Sequence, residues 1–87
     1  DEGASRVLKQ AGKSLLPVGV THISGRFKRG ELVSIQDQTG KEIGRGLVNY
    51  SAEDALKVIG KSSEQIIEVL GFSDGDALVH RDNLILV

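Results

Sequence analysis

Three short segments of the chain place small or apolar residues on one helical face. Ala4, Val7, Leu8 and Ala11 form the first set, Ala52, Ala55, Leu56 and Ile59 the second, and Ser63, Ile66, Ile67 and Leu70 the third. Each follows the i, i+3, i+4, i+7 spacing of an amphipathic helix of about two to three turns. Gly12, Gly60 and Gly71 come directly after the last periodic residue, where a left-handed cap costs glycine least. Ser51 with Asp54 reads as a variant of the capping box, and Ser62 or Ser63 is placed to cap the third helix.

Between the first and second helices the pattern changes. "LLPVGVTHIS", "ELVSIQD" and "EIGRGLVNY" are rich in Val, Ile and Thr, and the turn signals "KRG" and "QTGK" separate them. These predict a strand, a turn and then a hairpin. After the third helix "SDGD" predicts a turn, and "ALVH" and "LILV" predict two short strands around a tight reversal at "RDN". The expected order is therefore helix, three strands, two helices, two strands. Pro17 lacks a backbone donor, so its strand should lie on an edge or start after it. Gly44 and Gly46 share one side of the third strand and leave a flat strip that another backbone or side chain can approach, as at the bend of a small closed barrel.

Length and composition narrow the class without changing this picture. Eighty-seven residues make one small domain that buries about 60–65% of the surface its unfolded chain exposes. Apolar residues are 39% and charged residues 26%, and no apolar run approaches the roughly 18 residues of a membrane span. With no cysteine, disulfides and thiolate metal sites are excluded and a reducing, cytoplasmic setting is expected. The chain starts at "DEGASRVL", with neither a methionine nor a charged-then-apolar leader, so it is expected to be a piece of a longer protein.

Charge is more informative in its placement than in its total. Residues 5–45 hold eight basic and three acidic side chains, net +5, whereas residues 46–87 hold three and seven, net −4. The first half is thus a candidate face for an anionic partner, and the acidic second half dilutes it.

Several motifs suggest chemistry and fail on spacing. His80-Arg81-Asp82 spells the start of a kinase catalytic loop, but Val87 stands where the metal-binding Asn would be needed, and the glycine-rich loop, strand lysine and Asp-Phe-Gly are missing. Residues His80 to Asn83 read instead as a polar hairpin turn. Gly12-Lys13-Ser14 and Gly60-Lys61-Ser62 lack the first glycine of a phosphate loop, since Val7 and Ala55 occupy that position. "GRGLVN" has Asn49 at the third glycine of a dinucleotide fingerprint and falls within a strand. His22 and His80 are too few for a histidine metal cluster, and Asp74 and Asp76 lack the other oxygen ligands of a calcium loop.

The best local case for nucleic acid is "GRFKRG". Arg26, Lys28 and Arg29 surround Phe27 there, with Arg6, Lys9 and Lys13 supplied by the first helix. A basic loop with one aromatic can grip a phosphate backbone and stack a base. Phe27, Tyr50 and Phe72 are the three aromatics of the chain, and Phe27 reads more readily as a core anchor than as a base-stacking residue.

Four stretches together, "KSLLPVGV", "GRFKRGELVSI", "GKEIGRGLVNYSAEDA" and "VHRDNLILV", resemble the C-terminal domain of the bacterial glutamate 5-kinases along essentially all 87 residues. That domain is of the PUA type, named for pseudouridine synthases and archaeosine transglycosylases. The resemblance implies a mixed α+β, mainly β fold, a PUA-type pseudobarrel of about five to six short strands with flanking short helices. It implies a single domain over residues 1–87, with residues 1–12 a helix leading in from a kinase domain. Pro17, Gly19, Gly30, Gly40 and Gly46 carry the general PUA pattern, with Glu31 where many such domains have Asp; Asn49, Tyr50, His80 and Asp82 carry the narrower likeness. All nine of these pattern residues are expected to be structural.

For function, the resemblance implies an enzyme that uses ATP and magnesium to phosphorylate the side-chain carboxylate of L-glutamate, the first step of proline synthesis, under inhibition by proline. Its catalytic residues belong to an amino-acid-kinase domain upstream, and none maps onto this sequence. The expectation is therefore a regulatory module without catalytic, cofactor or metal residues of its own, partnered by its kinase domain and neighbouring subunits. The alternative is an RNA-binding module that uses the basic first half on structured RNA. Neither membrane nor DNA is an expected partner.

Overall fold

Three antiparallel strands organise the chain: β1 (Leu32–Gln36), β2 (Glu42–Val48) and β3 (Val79–Leu86), in the order β1-β2-β3. Helices α1 (Ala52–Val58) and α2 (Ile66–Leu70) lie between β2 and β3, and 3-10 turns occupy Pro17–Gly19 and Ser63–Gln65. The computed structural model describes residues 14–87, so the helix expected over residues 1–12 lies outside the described residues.

The β1–β2 hairpin is closed by Asp37. Its Oδ1 accepts the Thr39 N–H at 2.9 Å, the Thr39 hydroxyl at 2.6 Å and the Lys41 N–H at 3.1 Å. The short acidic side chain thus adds to the backbone bonds of the turn, in which the Gly40 N–H donates to Asp37 O at 3.0 Å and the Asp37 N–H to Lys41 O at 2.9 Å. Leu32 to Ile35 pair with Leu47 to Gly44, after which Gln36 pairs with Glu42, leaving Ile43 as the extra residue of a bulge. The bulge turns Ile43 inward beside Gly44, and two consecutive residues of one strand are buried.

The far end of the chain departs from the sequence-based expectation. His80 to Asn83 do not reverse the chain between two strands, because β3 continues through them as a single strand. Leu84, Ile85 and Leu86 pair with Gly46, Arg45 and Gly44, and Val79 pairs with Val48. The four residues 80–83 therefore oppose the single residue Leu47 and form a wide bulge. Gly46 permits this, because a Cβ there would meet the Val79 side chain and would lie 2.7 Å from the Asn83 carbonyl oxygen. Continued pairing also satisfies the backbone of residues 84–86, which a reversal would have turned away from β2.

The first expected strand is likewise reduced. Leu15 makes an isolated bridge to Val79, and Pro17 then opens a 3-10 turn, for which its fixed φ is already suited. The described residues hold three strands and one bridge where about five to six strands were expected. The mixed, mainly β class stands.

Two apolar clusters form the core. Leu15, Ile35, Ile43, Val48 and Val79 pack on the inner face of the sheet, and Tyr50, Ala55, Val58, Ile66 and Leu78 pack between the helices and the start of β3. Both helices bury a narrower stripe than their apolar spacing suggests. Leu56 is 55% exposed while Val58 is fully buried, and Ile67 is 60% exposed while Ile66 is buried. Successive helical positions point about 100° apart, so Ile66 and Ile67 face different ways and Leu56 and Val58, two positions apart, point to nearly opposite sides; a short helix against a small core buries one of each pair. The caps follow expectation: Ser51 Oγ accepts the Asp54 N–H at 3.2 Å, the Ser62 N–H donates to Gln65 Oε1 at 3.0 Å, and Gly71 ends α2 at φ 81. Among the described residues no helix is long and apolar enough to cross a membrane.

Candidate functional site

The basic loop between the 3-10 turn and β1 is built outward from Phe27. Its ring packs against the sheet-side core, and its carbonyl accepts the Ala52 N–H at 3.0 Å, which ties the loop to the start of α1. Lys28 O accepts the Glu31 N–H at 3.1 Å and the Gly30 N–H donates to Val48 O at 2.7 Å, so the loop is fixed at both ends. Arg26, Lys28 and Arg29 are left exposed around this anchor. The side chains of Arg26 and Lys28 have no ion pair or hydrogen bond among the described residues. Arg29 differs, because its Nη1 lies 3.5 Å from Asp74 Oδ1. Asp74 is 45 positions away in sequence, and no local signal pairs it with the loop. Arg6, Lys9 and Lys13 lie outside the described residues.

The residues that carry the family pattern hold the frame around this loop. Pro17 is buried, and its carbonyl accepts both the Val20 N–H at 3.1 Å and the Gly60 N–H at 2.8 Å, linking the 3-10 turn to the end of α1. The Gly19 N–H closes that turn on Leu16 O at 3.1 Å. Gly30 and Gly40 stand at turn positions with φ near 88. Asn49 donates from its backbone to Leu78 O at 2.8 Å and from Nδ2 to Ala77 O at 3.2 Å. Tyr50, 1% exposed, donates its hydroxyl to Gly75 O at 2.6 Å and accepts the Asp74 N–H at 2.8 Å. Asn49 and Tyr50 thereby latch residues 74–78 to the end of β2, and the same latch positions Asp74 opposite Arg29.

His80 and Asp82 lie in the β3 bulge, both exposed. The Asp82 N–H donates to His80 Nδ1 at 3.1 Å, and the Arg81 N–H donates to Ser14 Oγ at 2.9 Å. The bulge is thus held by local bonds and by the segment that enters the domain. Among the described residues no three His, Cys, Asp or Glu side chains gather as a metal site.

Two further features were not anticipated from sequence. A cavity of about 690 Å³ is lined by residues 19–27 and β1, among them the exposed Thr21, His22 and Arg26, and by the buried Leu15, Ile35, Ile43 and Val79. On the opposite, outer face of the sheet, Ser34 Oγ donates to Glu42 Oε2 at 2.7 Å, and Arg45 Nε donates to both Glu42 oxygens at 3.0 Å. The Arg45 hydrogen bond, and after it the Ser34 bond, holds the Glu42 carboxyl below its ordinary value of 4.5, and the same Glu42 contact raises the Arg45 guanidinium.

A family model described as "PUA domain" matches residues 1–70. The chain belongs to the PUA domain family. Curated relatives extend the likeness through β3. "Glutamate 5-kinase" of Saccharophagus degradans is 56% identical over 87 residues, all of this chain and 23% of that protein. "Glutamate 5-kinase" of Methylococcus capsulatus is 56% identical over 86 residues, with 99% of this chain and 23% of that protein covered. The protein of the same name from Hahella chejuensis is 52% identical over all 87 residues and 22% of its own length. This PUA domain therefore spans less than a quarter of the length of the curated relatives it matches.

Proposed function

We propose that this chain is the non-catalytic accessory domain of a glutamate 5-kinase, an enzyme that uses ATP and magnesium to phosphorylate L-glutamate, and that it tunes the enzyme's regulation or assembly. The observation that carries the reading is the identity of more than half of all residues to proteins named glutamate 5-kinase, across the whole of this chain. ATP and magnesium are bound by the rest of that polypeptide, and the partners of this domain are its own kinase domain and neighbouring subunits. Removing residues 13–87 from the longer enzyme leaves glutamate phosphorylation detectable and changes proline sensitivity, glutamate cooperativity or oligomeric state. Loss of all activity on mild truncation of a still-folded kinase domain, or no change in any of the three properties, refutes it.

A second reading, structured RNA as a partner, is favoured by one feature. Arg26 and Lys28 are exposed cations without internal partners among the described residues, on a loop held rigid by Phe27. Lysine and arginine placed in this way bind a phosphate backbone through counterion release.

A further inference from the structure

The outer face of the sheet presents three aliphatic side chains to solvent. Leu32 on β1 is directly opposite Leu47 on β2, and Ile85 on β3, paired with Arg45, is diagonal to Leu47. Leu32 is 65%, Leu47 43% and Ile85 72% exposed. All three strands contribute, and Arg45, opposite both Ser34 and Ile85, brings the Ser34–Glu42–Arg45 network up beside the three aliphatic side chains. An apolar centre beside a pre-formed charged cluster is the layout of a contact surface.

We propose that this face, centred on Leu32, Leu47 and Ile85, is where the domain docks on the remaining part of its own polypeptide. The inference rests on the reading of the chain as one domain of a longer glutamate 5-kinase. The matched relatives are more than four times as long as this chain, so most of such a polypeptide is available to cover the face. The size of the patch selects the same occupant. A stable complex between free proteins buries about 800 Å² on each partner, far more than three aliphatic side chains supply. A covalently tethered domain needs much less, because the linker holds it at an effective concentration on the order of 1 mM, and a contact with Kd of about 0.1 mM then leaves roughly a tenth of the molecules undocked. The bordering ion pair fixes orientation and adds little strength.

Hydroxyl-radical footprinting of the whole polypeptide tests this, because labelling of aliphatic side chains follows their exposure. Leu56 and Ile67, 55% and 60% exposed on the helical side, serve as internal references. Leu32 and Ile85 should be labelled about tenfold more slowly than these references, although they are more exposed in the isolated fold. Tenfold dilution should leave that protection unchanged. Labelling of Leu32 and Ile85 at the reference rate overturns the proposal, and protection that falls on dilution overturns it in favour of a second copy as the occupant. The double variant L32D/I85D should release Leu47 to the reference rate while buried Val58 stays protected; continued protection of Leu47 also refutes docking here. A phosphorylation assay on the same preparation is separate: lack of glutamate-dependent ATP turnover refutes the enzyme reading, whereas footprinting refutes the surface.

Discussion

Gly46 packs its bare α-carbon against the side chain of Val79. The pairing of β2 with both ends of a bulged β3 depends on that absence of a side chain, because a Cβ would also lie 2.7 Å from the Asn83 carbonyl oxygen. Gly44 is less constrained, because a Cβ added there would lie 3.1 Å from Ile85 O. Gly46→Ala should therefore cost about 3 kcal/mol and Gly44→Ala about 1 kcal/mol in urea unfolding. Equal losses would show that β3 moves freely to accommodate a methyl group.

Tyr50→Phe removes the hydroxyl that bridges Gly75 O and Asp74 N. The ring remains, so packing is preserved and the change isolates two hydrogen bonds of a buried group. A loss of about 1–2 kcal/mol is expected, with faster amide exchange at Asp74 and Gly75. A neutral substitution would mean that water replaces the hydroxyl without penalty.

The Glu42–Arg45 pair makes a pH prediction with a defined sign. The folded state holds the Glu42 carboxyl below 4.5, so the folded state binds the proton less readily than the unfolded chain. Its contribution is present above pH 4.5 and is lost as pH falls through the lower folded value. Glu42→Gln should be less stable than the parent at neutral pH, and the difference should shrink as pH falls below 4.5 and at about 1 M salt. A difference that persists at low pH would show that it does not come from the carboxylate charge.

Asp74 should restrain any binding of polyanions by the basic loop, because it occupies Arg29. Asp74→Asn is expected to tighten binding of a structured RNA, and Arg26→Ala with Lys28→Ala to weaken it. The slope of log K against log salt should become shallower by about 0.7–0.9 for each phosphate that the variant leaves unneutralised. No binding at about 50 mM salt with tens of micromolar protein would count against RNA as a partner.

Local features were legible because they depend on near neighbours. Ser51 caps α1, Gly71 ends α2, and Asp37 to Gly40 turn the β1–β2 hairpin, each through bonds spanning at most four residues. Gly44 and Gly46 were recognisable as a strip of close approach, and the structure supplies what approaches: the bulged backbone of β3.

Features with long sequence separation were not legible. The "HRDN" letters have the composition of a turn, yet β2 offers them a ladder, and pairing to Gly44 and Gly46 outweighs local preference. Choosing Val58 over Leu56, and Ile66 over Ile67, required knowing where the core lies. The Arg29–Asp74 pair, which separates one cation of the basic loop from its two neighbours, joins residues that share no pattern.

By itself, then, the sequence determined the helix caps, the hairpin turn, the mixed α and β content and the family resemblance, all of which reside in short-range spacing and residue type. The tertiary structure alone decided the single bulged β3, the pairing of Arg29 with Asp74, and the placing of Leu32, Leu47 and Ile85 on one outer face. Register between distant strands is set by which backbone groups and side chains meet, and a linear pattern carries no record of those meetings.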